Sequence, residues 1–209
     1  MKKIFGFGIL LLAAAGIFIA ATAPNTVGGL KVGDKAPDFK LQNIDGEWYS
    51  LKDIKDANGE TPKGYIVTFT CNTCPFAVMY EDRLVEMHKE MAPKGYPVVA
   101  IMPNDTDIKP GDSLEAMGER AKEKGFDFHY LIDSKQEVFP AYGASRTPEI
   151  YLLDNEMTVR YTGAIDDNPQ NADGVKTNYV ADAVAAIEAG NEPSPAKTKA
   201  IGCSIKVKK

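Results

Sequence analysis

The run Tyr65-Ile66-Val67-Thr68-Phe69-Thr70 reads as a buried strand, and it breaks at Cys71-Asn72-Thr73-Cys74-Pro75 into a helical pattern. Over residues 75–92, Phe76, Met79, Tyr80, Leu84, Met87 and Met91 recur on one helical face; Pro97 to Met102 then forms a second strand. Strand–helix–strand at this spacing predicts a βαβ unit, and so a sheet covered by helices. It also puts two cysteines at a strand-to-helix junction.

The pattern continues in the same way. Ser113 to Lys124 reads as a helix, with Asp112 or Ser113 as N-cap and Gly125 as its stop. Phe128 to Ile132 is a third strand, and Gln136 to Tyr142 a short helix ending at Gly143. Ile150–Leu153 and Val159–Gly163 are two strands joined through Asp154-Asn155, and Val175 to Ala189 is the last helix, stopped by Gly190. Upstream, short alternating runs at 38–41 and 47–50 flank Asn43-Ile44-Asp45-Gly46, a hairpin signal on which Trp48 should pack. The predicted class is α/β: a central mixed sheet flanked by helices, with an N-terminal hairpin extension.

Residues 1–23 do not read as part of this domain. Met1-Lys2-Lys3 is a positive start, residues 4–20 are apolar or small, and Ala21-Thr22-Ala23 suits a signal peptidase. The segment is a signal peptide or an uncleaved anchor, so membrane contact is expected only in the second case. Residues 24–36 read as a linker, 37–190 as the domain and 191–209 as a Pro- and Lys-rich solvated tail. Net charge is −5, which gives no electrostatic reason to hold nucleic acid. Three cysteines cannot make a tetrathiolate metal site, and no metal or other cofactor is expected.

Two thiols at i and i+3 across a helix start can close a small ring, and the unpaired N–H groups there favour a thiolate. Cys71 is expected to be the exposed, anionic nucleophile, and Cys74 the more buried, protonated thiol that resolves its mixed disulfides. Pro75 suits a first helical turn. The second marker is Ser145-Arg146-Thr147-Pro148-Glu149, just before the Ile150 strand. A cis Thr147–Pro148 bond would form a tight corner there; the order of elements resembles that of thioredoxin-like proteins, which implies that the corner faces the sulfurs and that the Thr147 backbone can pair with an incoming peptide. His88 and His129 read as structural.

The opening Val32-Gly33-Asp34-Lys35-Ala36-Pro37-Asp38-Phe39 resembles the redoxin (alkyl hydroperoxide reductase and thiol-specific antioxidant) superfamily. Cys71-Asn72-Thr73-Cys74-Pro75-Phe76, Asn104-Asp105, Asp112 to Met117, Tyr142-Gly143-Ala144, Thr147-Pro148, Gly163 to Asp167 and Gly202-Cys203-Ser204-Ile205-Lys206 resemble its peroxiredoxin-like, thioredoxin-fold branch. The resemblance implies a thioredoxin-like fold and cysteine redox chemistry. Thr68 stands near the buried Asp or Asn of membrane-tethered reductases of this kind. It also matches the threonine of a peroxidatic Pro-x-x-x-Thr-x-x-Cys loop, whose proline position here is Gly64. Arg146 is a candidate cation for polarising a peroxide, Glu149 a candidate proton carrier, and Cys203 an extra thiol able to fold back onto Cys71 or to pair between chains.

The expected function is an exported thiol–disulfide oxidoreductase of a bacterial periplasm or cell envelope. It would act on protein disulfides and draw electrons from an upstream thiol donor. A thiol peroxidase using Cys71 is the alternative, and copper delivery by the two thiols a more distant one.

Overall fold

The computed structural model describes residues 28–209. The signal or anchor expected at 1–23, and the first part of the linker, lie outside the described residues.

Seven strands form one mixed sheet in the order β2-β1-β5-β4-β3-β7-β8. They are β1 (Leu41–Asn43), β2 (Trp48–Tyr49), β3 (Gly64–Phe69), β4 (Val98–Met102), β5 (His129–Ile132), β7 (Glu149–Asp154) and β8 (Val159–Gly163). β3, β4 and β5 run parallel; β7 pairs antiparallel with β3, and β8 with β7. A separate two-stranded ribbon joins β6 (Arg146–Thr147) to β9 (Cys203–Ser204). The helices are α1 (Pro75–Met91), α2 (Leu114–Lys124), α3 (Val138–Tyr142) and α4 (Tyr179–Glu188).

Side chains alternate across the sheet, as the two-residue strand period requires. Ile66, Val98, Ala100 and Met102 meet α1, α2 and α4 through Leu84, Met117 and Val184. Val67, Phe69, Val99 and Ile101 meet α3 and the N-terminal segment through Phe139, Tyr142, Leu51 and Leu30. Burial on both faces explains why β3 and β4 are apolar throughout. Thr68 breaks the rule. It is fully buried and its hydroxyl has no partner. Thr68→Val keeps the shape and removes the unpaired group, so it is expected to raise stability by about 1 kcal/mol, read as a higher urea midpoint.

Local capping sets the element ends. Ser113, not Asp112, caps α2 by accepting from Ala116 N at 3.3 Å, and Gly125 ends the helix in the left-handed region. The last helix starts at Tyr179 rather than Val175, because the Asn178 side chain takes Ala181 N at 3.1 Å. The Asp133 carboxylate gathers the N–H groups of Glu137, Val138 and Phe139 and so starts α3 late.

The N-terminal hairpin forms, β1 with β2, and β1 also pairs with β5, which joins it to the main sheet; Trp48 on its outer strand is 51% exposed. Two expectations are corrected. Residues 28–36 are not a free linker, since Leu30 and Ala36 are buried and Leu30 N donates to Tyr142 O. Nor is the tail loose, though most of its side chains reach solvent. Residues 197–206 run back across the domain, pairing with Thr162 and Thr147 and burying Ile205 at 7% exposure. Composition does not register the single apolar side chain and the backbone pairing that hold it.

Candidate active site: three thiols at a helix mouth

Cys71 follows β3 directly, and Cys74 is the N-cap of α1 with Pro75 at its first position. The loop between them is held from outside. Asp112, fully buried, accepts from Asn72 N (2.9 Å) and Thr73 N (3.0 Å) through one oxygen. Its other oxygen takes the Thr73 hydroxyl and the Asn104 amide, each at 2.8 Å. Tyr130 donates to Asn72 Oδ1 at 3.0 Å, and Asn72 Nδ2 donates to Gly111 O. Sequence reasoning did not assign these roles to Asp112, Asn104 and Tyr130. One signal pointed to them: the carboxyl ends of adjacent parallel strands lie side by side, so the loop after β4 must border the loop after β3.

The corner meets the sulfurs. The Thr147–Pro148 bond is cis. Thr147 Oγ1 lies 3.3 Å from Cys71 Sγ, and its carbonyl oxygen 3.1 Å from Cys74 Sγ, in line to accept that thiol's proton. All three cysteines are free, and with Thr147 and Lys109 they line one cavity of about 140 Å³.

The expected asymmetry between the two thiols is not what the structure shows. Cys71 is 2% exposed and Cys74 3%, so neither stands out to solvent; both line a cavity that the returning tail also walls, through Cys203, Ser204 and Lys206. The two sulfurs hydrogen-bond to each other. That bond, then burial, pushes the Cys71 thiol well up, and the Asp112 carboxylate adds to the rise. The same bond pulls Cys74 down to about 4, helped by Cys203 and by Ala77 N–H. The pair therefore holds one proton between its two sulfurs across the neutral range. One thiolate in the ultraviolet absorbance of the reduced protein is expected at neutral pH, and replacing both Cys71 and Cys74 by serine should erase it.

The auxiliary candidates separate clearly. Thr68 lies inside the sheet and does not line the cavity. Arg146 gives its guanidinium to Gly202 O at 2.9 Å and so grips the tail. The Glu149 carboxylate takes Ser145 N and Arg146 N and holds the corner backbone, not the sulfurs. Cys203, by contrast, lies opposite Thr147 in the ribbon and faces Cys74. His88 accepts from Val98 N at 3.1 Å, and His129 packs edge-on against Tyr49; neither borders the cavity. Among the described residues no group of three or more His, Cys, Asp and Glu is arranged to hold a metal. Among the same residues, no helix is long and apolar enough to cross a membrane.

The sequence profile of the AhpC/TSA family matches residues 32–162. A solved structure from Geobacillus kaustophilus, described as an uncharacterized conserved protein, is 37% identical, with a TM-score of 0.78 over 85% of this chain and 93% of that one. Thiol-disulfide oxidoreductase ResA of Geobacillus thermodenitrificans is 27% identical over 175 residues, covering 80% of this chain and 91% of the relative. A structure of a putative thiol:disulfide interchange protein DsbE from Chlorobium tepidum is also 27% identical, with a TM-score of 0.51 over 64% and 85% of the two chains.

Proposed function

The chain belongs to the AhpC/TSA family and is a thiol–disulfide oxidoreductase, and we propose that Cys71 and Cys74 exchange disulfides with protein partners at the corner formed by Thr147 and Pro148. The observation that carries this is the placement of one residue, Thr147, against both sulfurs. The proton shared by the pair passes to Cys74, whose S–H then points at the Thr147 carbonyl. Cys71 is left as a thiolate, held by the Thr147 hydroxyl and by Cys74 N–H. It attacks a partner disulfide, one partner sulfur leaves as thiolate, and Cys74 cleaves the mixed disulfide to close the Cys71–Cys74 bond. A thiol donor reopens that bond.

Export supports this reading, because disulfides persist outside the cytoplasm. The positive start, the apolar run over 4–20 and Ala21-Thr22-Ala23 are the features that direct it there. Peroxide chemistry draws no support from the cavity, since Thr68 does not line it and Arg146 is engaged by the tail.

The test is capture. The Cys74→Ser protein should retain partner proteins as adducts that dithiothreitol releases and that vanish when Cys71 is also replaced. Equal capture by the double variant would end the assignment.

A further inference from the structure

The exchange reading leaves a geometric problem. The pair that must meet a partner is buried, and the protein's own tail walls the cavity it lines. Cys203 lies opposite Thr147 in an antiparallel ribbon. That is the strand position an incoming peptide would take beside the corner, so Cys203 sits where a partner's cysteine would sit. The approach is close: a Cβ at Gly202 would collide with the Thr147 carbonyl, so only glycine fits there.

The tail is firmly placed. Arg146 holds Gly202 O, and Ile205 N donates to Ser145 O at 3.1 Å. Lys206 N donates to Asn104 Oδ1 at 2.8 Å, and its carbonyl takes Asp105 N and Gln136 Nε2, both at 2.8 Å. Cys203 Sγ faces both Cys74 and Phe76 N–H at the mouth of α1. Of the three sulfurs in the cavity, Cys203 belongs to the only cysteine that is not fully buried.

We propose that Cys203 is a third exchanging thiol, an internal partner for Cys74 that carries the disulfide between the buried Cys71–Cys74 pair and the protein surface. This rests on the exchange reading above. In the oxidised pair, the Cys203 thiolate attacks Cys74 Sγ. The Cys74–Cys203 bond forms, the Cys71–Cys74 bond breaks, and Cys71 leaves with the electron pair and takes up the proton that Cys203 gave up. No electrons enter or leave; the disulfide has moved outward by one position. A donor thiol then attacks Cys203 Sγ, forms a mixed disulfide with it and expels Cys74 as thiolate. The Cys71 thiol beside it favours the Cys74 anion as it leaves. A second donor thiol cleaves the mixed disulfide, returning Cys203 and releasing the donor as its own disulfide.

Two variants of the whole protein test this. Cys71→Ser, oxidised with diamide and peptide-mapped without reduction, should carry a Cys74–Cys203 disulfide in most molecules while remaining monomeric. Finding only unlinked thiols or intermolecular links overturns the proposal. Cys203→Ser keeps the backbone ribbon and so keeps the cover. Once oxidised at Cys71–Cys74, it should be reduced by glutathione about tenfold more slowly than the unsubstituted protein. An equal or faster rate, with that disulfide formed normally, overturns the relay and leaves the exchange reading standing. Failure of Cys203→Ser to form the Cys71–Cys74 disulfide at all overturns both.

Discussion

Alanine at Asp112 is expected to lower stability by about 3–4 kcal/mol and to cut turnover about a hundredfold in molecules that remain folded. The buried carboxylate satisfies two backbone N–H groups, a hydroxyl and an amide, all within 3.0 Å. Its loss leaves those donors unpaired where water is excluded, at about 1–3 kcal/mol for each group that finds no substitute. The activity loss has a separate origin. Asn72 and Thr73 set the spacing between the two sulfurs, and a displacement of about 1 Å in a reacting group is enough for such a fall. Urea midpoints give the first quantity and insulin reduction, measured well below the midpoint, gives the second. A midpoint unchanged by the substitution would show that the loop holds itself.

Serine at Cys71 and serine at Cys74 should each reduce insulin turnover by at least about a thousandfold, because Cys71 makes the attack on the partner disulfide and Cys74 frees it from the adduct. The two losses should leave different traces. Without Cys74, an adduct on Cys71 has no neighbour placed to cleave it and persists on a non-reducing gel. Without Cys71, an adduct on Cys74 meets Cys203 at once and is released. Persistent adducts in both variants would show that Cys203 does not reach Cys74 during turnover. Retention of turnover in Cys71→Ser would remove that residue from the chemistry.

The helices and the inner strands were legible because their signals are local. Apolar runs, helical spacing and glycine stops all lie within a few residues of the elements they define, and β3, α1 and β4 fall where the pattern put them. The hairpin's place in the main sheet was not legible, since the partner of Gln42 is Ile132, far along the chain. The same limit hid the loop-holding role of Asp112: a carboxylate next to a helix start reads as a cap until the fold brings Asn72 and Thr73 to it. The burial of the two thiols was not legible, because the segment that walls their cavity, Cys203 to Lys206, returns from the far end of the chain.

Asn104 is a clasp with two ends. Its amide nitrogen serves Asp112 behind the sulfur loop, and its amide oxygen serves the Lys206 backbone beneath the tail. Thermodynamic linkage through such a shared group is reciprocal. Whatever peels the carboxyl terminus away also slackens the loop that spaces Cys71 and Cys74, and whatever rearranges that loop loosens the terminus by the same free energy.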